Sequence, residues 1–332
     1  MKTFRRVAWI LLAAGLMAIV VLPLVVPFQS SGTVSFRDAG GQFIRVSDID
    51  VHVDSRDYTG ACACYNTGEE PLIILMHGFG ASTFSWRDVI DDLSGFGEVV
   101  AYDRPGFGFT ERVTTWAGEN PYGTLGNFAI INGLIDQLAD GRPVVLVGHS
   151  AGGELAANFV VENPSRVQGL VLVDAAIFTT GGSPSWLTPV FALPQFDTIG
   201  PLLVSGIATS GDDLLRQSFV DQALLTPAVY DGYHAPLKVG GWERGFWEFA
   251  KAPRLEGVAD RLNEITIPTL IITGDSDTVV PTADATLLHD AIAGSELAVI
   301  SNAGHLPHEE KPAAFLAALE NWLPAGFGAT SR

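Results

Sequence analysis

Hydrophobic and polar positions alternate over only a short part of the chain. Phe43-Ile44-Arg45-Val46 and Ile49-Asp50-Val51-His52-Val53 carry the two-residue period of a pair of half-buried strands. The pattern then changes to short unbroken apolar runs at Leu72–Met76, Val99–Tyr102, Val144–Val147, Leu170–Val173, Leu270–Thr273 and Leu297–Ile300. Such runs are expected of strands covered on both faces. Helical stretches over 84–93, 126–139, 153–162, 283–292 and 312–322 fall between them. Alternating strands and helices predict an α/β fold with a mostly parallel central sheet and helices on both faces.

Two stretches break this rhythm. More than 90 residues separate Asp174 from Thr269, too many for a structureless loop in a compact domain. Residues 177–253 hold 11 of the chain's 32 aromatic side chains and several prolines, which predicts an inserted, mainly helical cap. The second stretch is Val7–Val26, 20 residues without a charged or strongly polar side chain, preceded by Lys2, Arg5 and Arg6. About 20 apolar residues span a bilayer core, and the positive flank keeps the N-terminus cytoplasmic. The expected arrangement is an uncleaved signal-anchor over residues 1–29, a single transmembrane helix, with the rest of the chain outside the cytoplasm. The alternative is a cleaved signal peptide and a secreted protein. The length of the run and the lack of an Ala-x-Ala site argue against it.

Composition supports a large core. The 332 residues are 47% hydrophobic and only 17% charged, which excludes general disorder. The net charge of −18 is uneven: residues 1–32 carry three basic and no acidic side chains, so the remainder holds 16 basic against 37 acidic, or −21. An exported domain of that sign is not a nucleic-acid partner. Cys62 and Cys64 stand two apart. Their spacing suits two small side chains in or near a strand better than a disulfide framework or a metal set.

The chemistry begins at Gly148-His149-Ser150-Ala151-Gly152, a G-x-S-x-G that follows one buried strand and opens a helix. That strand–turn–helix setting lets Ser150 Oγ project above the sheet as a nucleophile. His305 lies just beyond the last strand, where an imidazole can take the serine proton and return it to the leaving group. His308 is read as structural, His149 as packing, and His77 as shaping its loop. Asp277 follows another buried strand and is the expected partner of His305, with Asp174 the weaker candidate and Asp275 a turn cap. The oxyanion donors are expected at the backbone N–H groups of Ala151 and Phe79, the latter in His77-Gly78-Phe79-Gly80.

With these motifs the chain resembles the α/β-hydrolase superfamily, in its lidded serine-hydrolase branch. The matching pieces are His77–Gly80, Asp103-Arg104-Pro105-Gly106-Phe107-Gly108, Gly148–Gly153, Gly274–Pro281, and Gly304-His305 through Glu310 and Pro312. They come in the family's order over residues 42 to 323. The resemblance implies a catalytic domain over 30–176 and 254–332, interrupted by a cap over 177–253. It implies a structural role for the Asp103 loop and substrate selection by the cap. Epoxide hydrolases and haloalkane dehalogenases of this superfamily carry Asp where this chain has Ser150. Its carbon–carbon bond hydrolases typically have Asn before that Ser, where this chain has His149.

The expected activity is therefore hydrolysis of a small or lipophilic carboxylic ester through an acyl-enzyme on Ser150, His305 and Asp277, with no metal or organic cofactor needed. Carbon–carbon bond hydrolysis and cofactor-free perhydrolase or haloperoxidase chemistry use the same triad. A non-catalytic hydrolase-fold binding protein is the remote alternative.

Overall fold

The computed structural model describes residues 28–60, 70–178, 188–191 and 193–328, with isolated positions between 9 and 26. Most of Val7–Val26 lies outside the described residues, as do Cys62 and Cys64. Among the described residues no helix is long and apolar enough to cross a membrane.

Eight strands form one sheet: β1 (Gln42–Val46), β2 (Ile49–Arg56), β3 (Leu72–Met76), β4 (Glu98–Tyr102), β5 (Val144–His149), β6 (Gly169–Val173), β7 (Thr269–Gly274) and β8 (Glu296–Ile300). Their spatial order is β1-β2-β4-β3-β5-β6-β7-β8. The two alternating strands pair antiparallel at one edge, Ile44 opposite Val51, and β2 runs antiparallel to β4. The six strands read from unbroken apolar runs are all parallel. Their side chains divide by parity. Leu72, Ile74 and Met76 join one buried cluster and Ile73 and Leu75 the other, as do Leu146 against Val145 and Val147. Each apolar side chain so buried is worth about 1.5–3 kcal/mol, which is why β3 to β7 need no polar face; β8, at the sheet edge, differs from the expectation in leaving Glu296 and Val299 exposed.

Helices cover both faces: α1 (Ile90–Leu93), α2 (Thr124–Leu138), α3 (Ala151–Glu162), then α4 (Thr188–Phe191), α5 (Phe196–Val204), α6 (Ile207–Ser218), α7 (Pro227–His234) and α8 (Trp242–Lys251), then α9 (Thr282–Ala291), α10 (Pro307–Glu310) and α11 (Pro312–Gly328). Helices α4 to α8 are the insertion between β6 and β7. Their own aromatic cluster centres on Trp242, Phe246 and Trp247, with Phe107 from the sheet side.

Two expectations need correction. The stretch 84–93 is not one helix. Ser82 caps a 3-10 turn over Thr83–Trp86 by accepting from Phe84 N–H, and Val89 leaves helical geometry at φ −132° before the single turn of α1. The break lets Trp86, Val89, Ile90 and Leu93 all reach the core. The polar stretch Ser30–Asp38, whose composition predicts a short linker, is docked at its start. Both Ser30 and Ser31 hydroxyls and the Ser31 N–H donate to the buried Glu243 carboxylate at 2.5–2.8 Å. Val34 bridges to Val239 beside them.

Candidate active site

Strands β3, β5, β6, β7 and β8 are consecutive neighbours and parallel, so their carboxyl ends share one edge of the sheet. Ligands of open α/β sheets bind outside that edge. The loops leaving it carry, in spatial order, His77–Gly80, Ser150, Asp174, Asp277 and His305.

Ser150 sits between β5 and α3 at φ 53°, ψ −121°. A side chain with positive φ is strained, and here the sharp turn imposes it. The turn is possible because backbones approach where no Cβ fits. A Cβ on Gly152 would stand 2.3 Å from Met76 O. One on Gly78 would stand 2.8 Å from His149 Nδ1 and 3.1 Å from Ser150 Cβ, so the His77–Gly80 loop lies against the serine. Ala151 opens α3, and its N–H is one of the four at a helix start that have no partner within the helix.

His305 Nδ1 lies 2.7 Å from Asp277 Oδ2, and both side chains are buried. The other Asp277 oxygen accepts from Val279 N–H at 2.7 Å and Val280 N–H at 3.0 Å. A carboxylate only accepts, so Nδ1 carries the hydrogen and Nε2 is the ring's open base. Of the four buried histidines on the loops and turns around Ser150, His305 alone is hydrogen-bonded to a carboxylate; His52, on β2, meets Asp103 at 2.8 Å. His149 Nε2 meets the His305 carbonyl at 2.7 Å, and His77 lies between Gly78 O and Arg104 N–H. His308 stacks on Trp86 at 4.5 Å. Burial pushes His77 and His308 down to about 3 and His149 well below its ordinary value, so all three stay neutral. Asp275 accepts from Asn302 N–H at 2.9 Å and holds its turn. Asp103 accepts from Thr83 and Phe109 N–H at 2.6 and 2.7 Å and holds the rim loop.

A cavity of about 250 Å³ opens over Ser150 and His305. Phe79, Leu214, Leu215, Leu237, Phe246 and Leu306 make its wall mostly apolar. Asp212 and His234 also reach the wall, bonded to each other at 2.6 Å. His149 reaches it too, so its ring does more than pack behind the turn. One carboxylate oxygen of Asp174, one of Asp277 and a ring nitrogen of His305 lie within 4.8 Å of one another.

Two side chains just beyond His305 tie its loop to distant parts of the chain. Glu310 accepts from Val220 and Asp221 N–H at 2.7 and 2.9 Å and from Gly304 N–H, tying the insertion to the His305 loop. Glu309, fully buried, pairs with Arg87 at 2.8 Å and accepts from the Tyr233 hydroxyl of α7. Two adjacent acids four and five residues beyond His305 were the available signal; their partners outside that loop, from 76 residues away for Tyr233 to more than 200 for Arg87, were not.

This geometry agrees with the comparisons. A family model described as the α/β-hydrolase fold matches residues 71–312. The chain belongs to that family. It is 27% identical over 270 residues to a 2-hydroxy-6-oxo-2,4-heptadienoate hydrolase of Pseudomonas putida, covering 79% of this chain and 92% of that one. A bromoperoxidase from Bacillus anthracis superposes with a TM-score of 0.64 at 23% identity, over 83% of this chain and 95% of its own. An esterase from Thermogutta terrifontis superposes with a TM-score of 0.65 at 20% identity, over 86% of this chain and all of its own. At those identities the two structures establish the fold alone.

Proposed function

We propose that this hydrolase cleaves a carboxylic ester of a small or lipophilic substrate through an acyl-enzyme. The observation that carries the proposal is His305, hydrogen-bonded to Asp277 at 2.7 Å and lining the same apolar cavity as Ser150. Ser150 Oγ attacks the ester carbonyl while His305 Nε2 takes its proton. The Phe79 and Ala151 N–H groups receive the oxyanion, and His305 returns the proton to the departing alcohol. Water, activated by the same imidazole, then releases the acid. Asp277 holds the ring in the tautomer that leaves Nε2 open. The helices over 177–253 act as the cap that selects the substrate.

A second reading is carbon–carbon bond hydrolysis, which the name of the Pseudomonas putida relative favours. His149, where such enzymes typically have Asn, weighs toward the ester. A panel of p-nitrophenyl esters of graded chain length, with a ring-cleavage dienone beside them, decides. The ester reading expects turnover of the esters, rising with chain length until the cavity is full. Turnover of the dienone alone would replace it.

We further propose that Val7–Val26 anchors the protein in a bilayer with the catalytic domain outside the cytoplasm. Its support is the charge-free run behind Lys2, Arg5 and Arg6. Full-length protein is expected in the membrane pellet with its N-terminus intact. A soluble exported form beginning near residue 30 would overturn the anchor.

A further inference from the structure

We propose that Asp174 keeps its proton in the working enzyme and donates it to Asp277, as a positioning residue for the carboxylate behind His305. The proposal rests on the hydrolase reading above and places a proton donor behind the Asp277–His305 pair.

The argument is an inventory of donors. Ionised Asp277 is fully served, by His305 Nδ1 on one oxygen and by two backbone N–H groups on the other. Asp174, at the end of β6, is not. Its Oδ1 accepts from the Thr273 hydroxyl at 2.7 Å and from Gly274 N–H at 3.2 Å. Its Oδ2 is buried and meets no donor. A bare carboxylate oxygen in that position is costly, whereas a hydroxyl there has an acceptor in Asp277. The carboxyl groups belong to a triangle no wider than 4.8 Å with His305, and two charges so close and so deep do not both ionise cheaply. Burial first, and then the Asp277 charge, push Asp174 well above the usual carboxylate range.

The groups facing Asp174 are Asp277 from the loop after β7 and His305 from the loop after β8. Asp284 of α9 also senses Asp277, and burial with that charge raises it. Asp174 is held in place by its own backbone, with φ 42° at the strand end, a conformation Asp tolerates better than most residues.

A donor on Asp277 tempers its basicity and fixes the plane of its carboxylate. Without that donor Asp277 would hold the protonated imidazole more strongly. The free base would then be lost at a higher pH.

The test compares the full-length protein with Asp174→Asn and Asp174→Ala, using Asp277→Asn as reference. In Asp174→Asn the amide oxygen keeps Thr273 and Gly274 while the NH₂ replaces the carboxyl proton. Near neutral pH, infrared difference spectra should show a protonated-carboxyl C=O band that Asp174→Asn lacks. With a p-nitrophenyl ester, Asp174→Asn should stay within about threefold of wild type in kcat/KM, with its acidic limb unmoved. Asp174→Ala should lose about tenfold on that limb and shift it to higher pH. Absence of the band would overturn the proposal. So would an Asp174→Asn loss as deep as that of Asp277→Asn, which would make Asp174 the ionised partner. If Asp174→Ala does not fold, the infrared band and the Asp174→Asn profile decide. A failure of the hydrolase reading would instead show as no ester turnover, with the band unaffected.

Discussion

The sheet edge that carries Ser150 and the inserted helices above it are held by different means. At the sheet edge, backbone packs on backbone. Gly152 lies against the Met76 and His77 carbonyls, and Gly148 lies against the Gly152 and Gly153 backbone, where even a methyl group does not fit. In the insertion, side chains reach across long stretches of chain. Glu310 holds Val220 and Asp221, Glu309 holds Tyr233, and Glu243 holds Ser30 and Ser31. The first kind of order tolerates no added atom. The second tolerates loss of a side chain at the cost of its hydrogen bonds.

The largest effect should therefore come from the smallest change. Gly152→Ala adds one methyl 2.3 Å from the Met76 carbonyl, which belongs to a central strand and cannot move aside. Overpacking of this kind usually costs about 1–3 kcal/mol and more against rigid backbone. Soluble yield and thermal unfolding are expected to show at least that loss, with ester turnover abolished. A stable, active Gly152→Ala protein would dissolve the contrast between the two regions.

Glu310→Ala is the corresponding cut on the insertion side. It strips the acceptor from three backbone N–H groups, and each buried donor left unpaired costs about 1–3 kcal/mol. Some of the three will find water, so a net loss of about 2–3 kcal/mol is expected, with a folded protein whose kcat/KM falls about tenfold as His305 loosens. Unchanged kcat/KM would mean that the insertion does not steady the His305 loop.

These two regions also differ in how far the sequence revealed them. Five buried strands, β3 to β7, could be read from apolar runs, because a strand covered on both faces leaves no polar positions; the sixth run, β8, is a half-exposed edge strand. Gly78, Gly148 and Ser150 could be read because the turn demands those residue types within a few positions. Helix α3 extends from Ala151, nearer the serine than the pattern at 153–162 suggested, since Gly152 and Gly153 weaken a helical signal that the tertiary contacts restore. The partners of Glu243, Glu309 and Glu310 were not legible. Ser30 and Arg87 lie more than 200 residues from the acids they meet, and no local period encodes such a meeting. Asp277 and Asp174 both follow buried strands, and both lie between Ser150 and His305 in the chain. The two were not seen to be neighbours, because adjacency across β6 and β7 belongs to the sheet.

The smallest effect sharpens the picture of the insertion through pH. Burial pushes Glu309 up to about 7, against the pull of Arg87 and Tyr233. A carboxyl raised in the folded state binds a proton that the unfolded chain has released. Its stabilising contribution is therefore full below about 4.5 and is lost as pH rises through about 7. Glu309→Gln should flatten this decline in Tm between those limits by a modest amount. An unaltered Tm profile would mean that Glu309 is already ionised across the range.

The central claim is that Ser150, activated by His305, is the nucleophile of a serine hydrolase. A fluorophosphonate probe followed by peptide mass spectrometry tests it most directly. Wild-type protein is expected to carry one phosphonyl group on the peptide containing Ser150, with labelling lost in Ser150→Ala and greatly slowed when His305 is replaced. Folded wild-type protein that takes up no probe, or takes it up on another residue, would contradict the account.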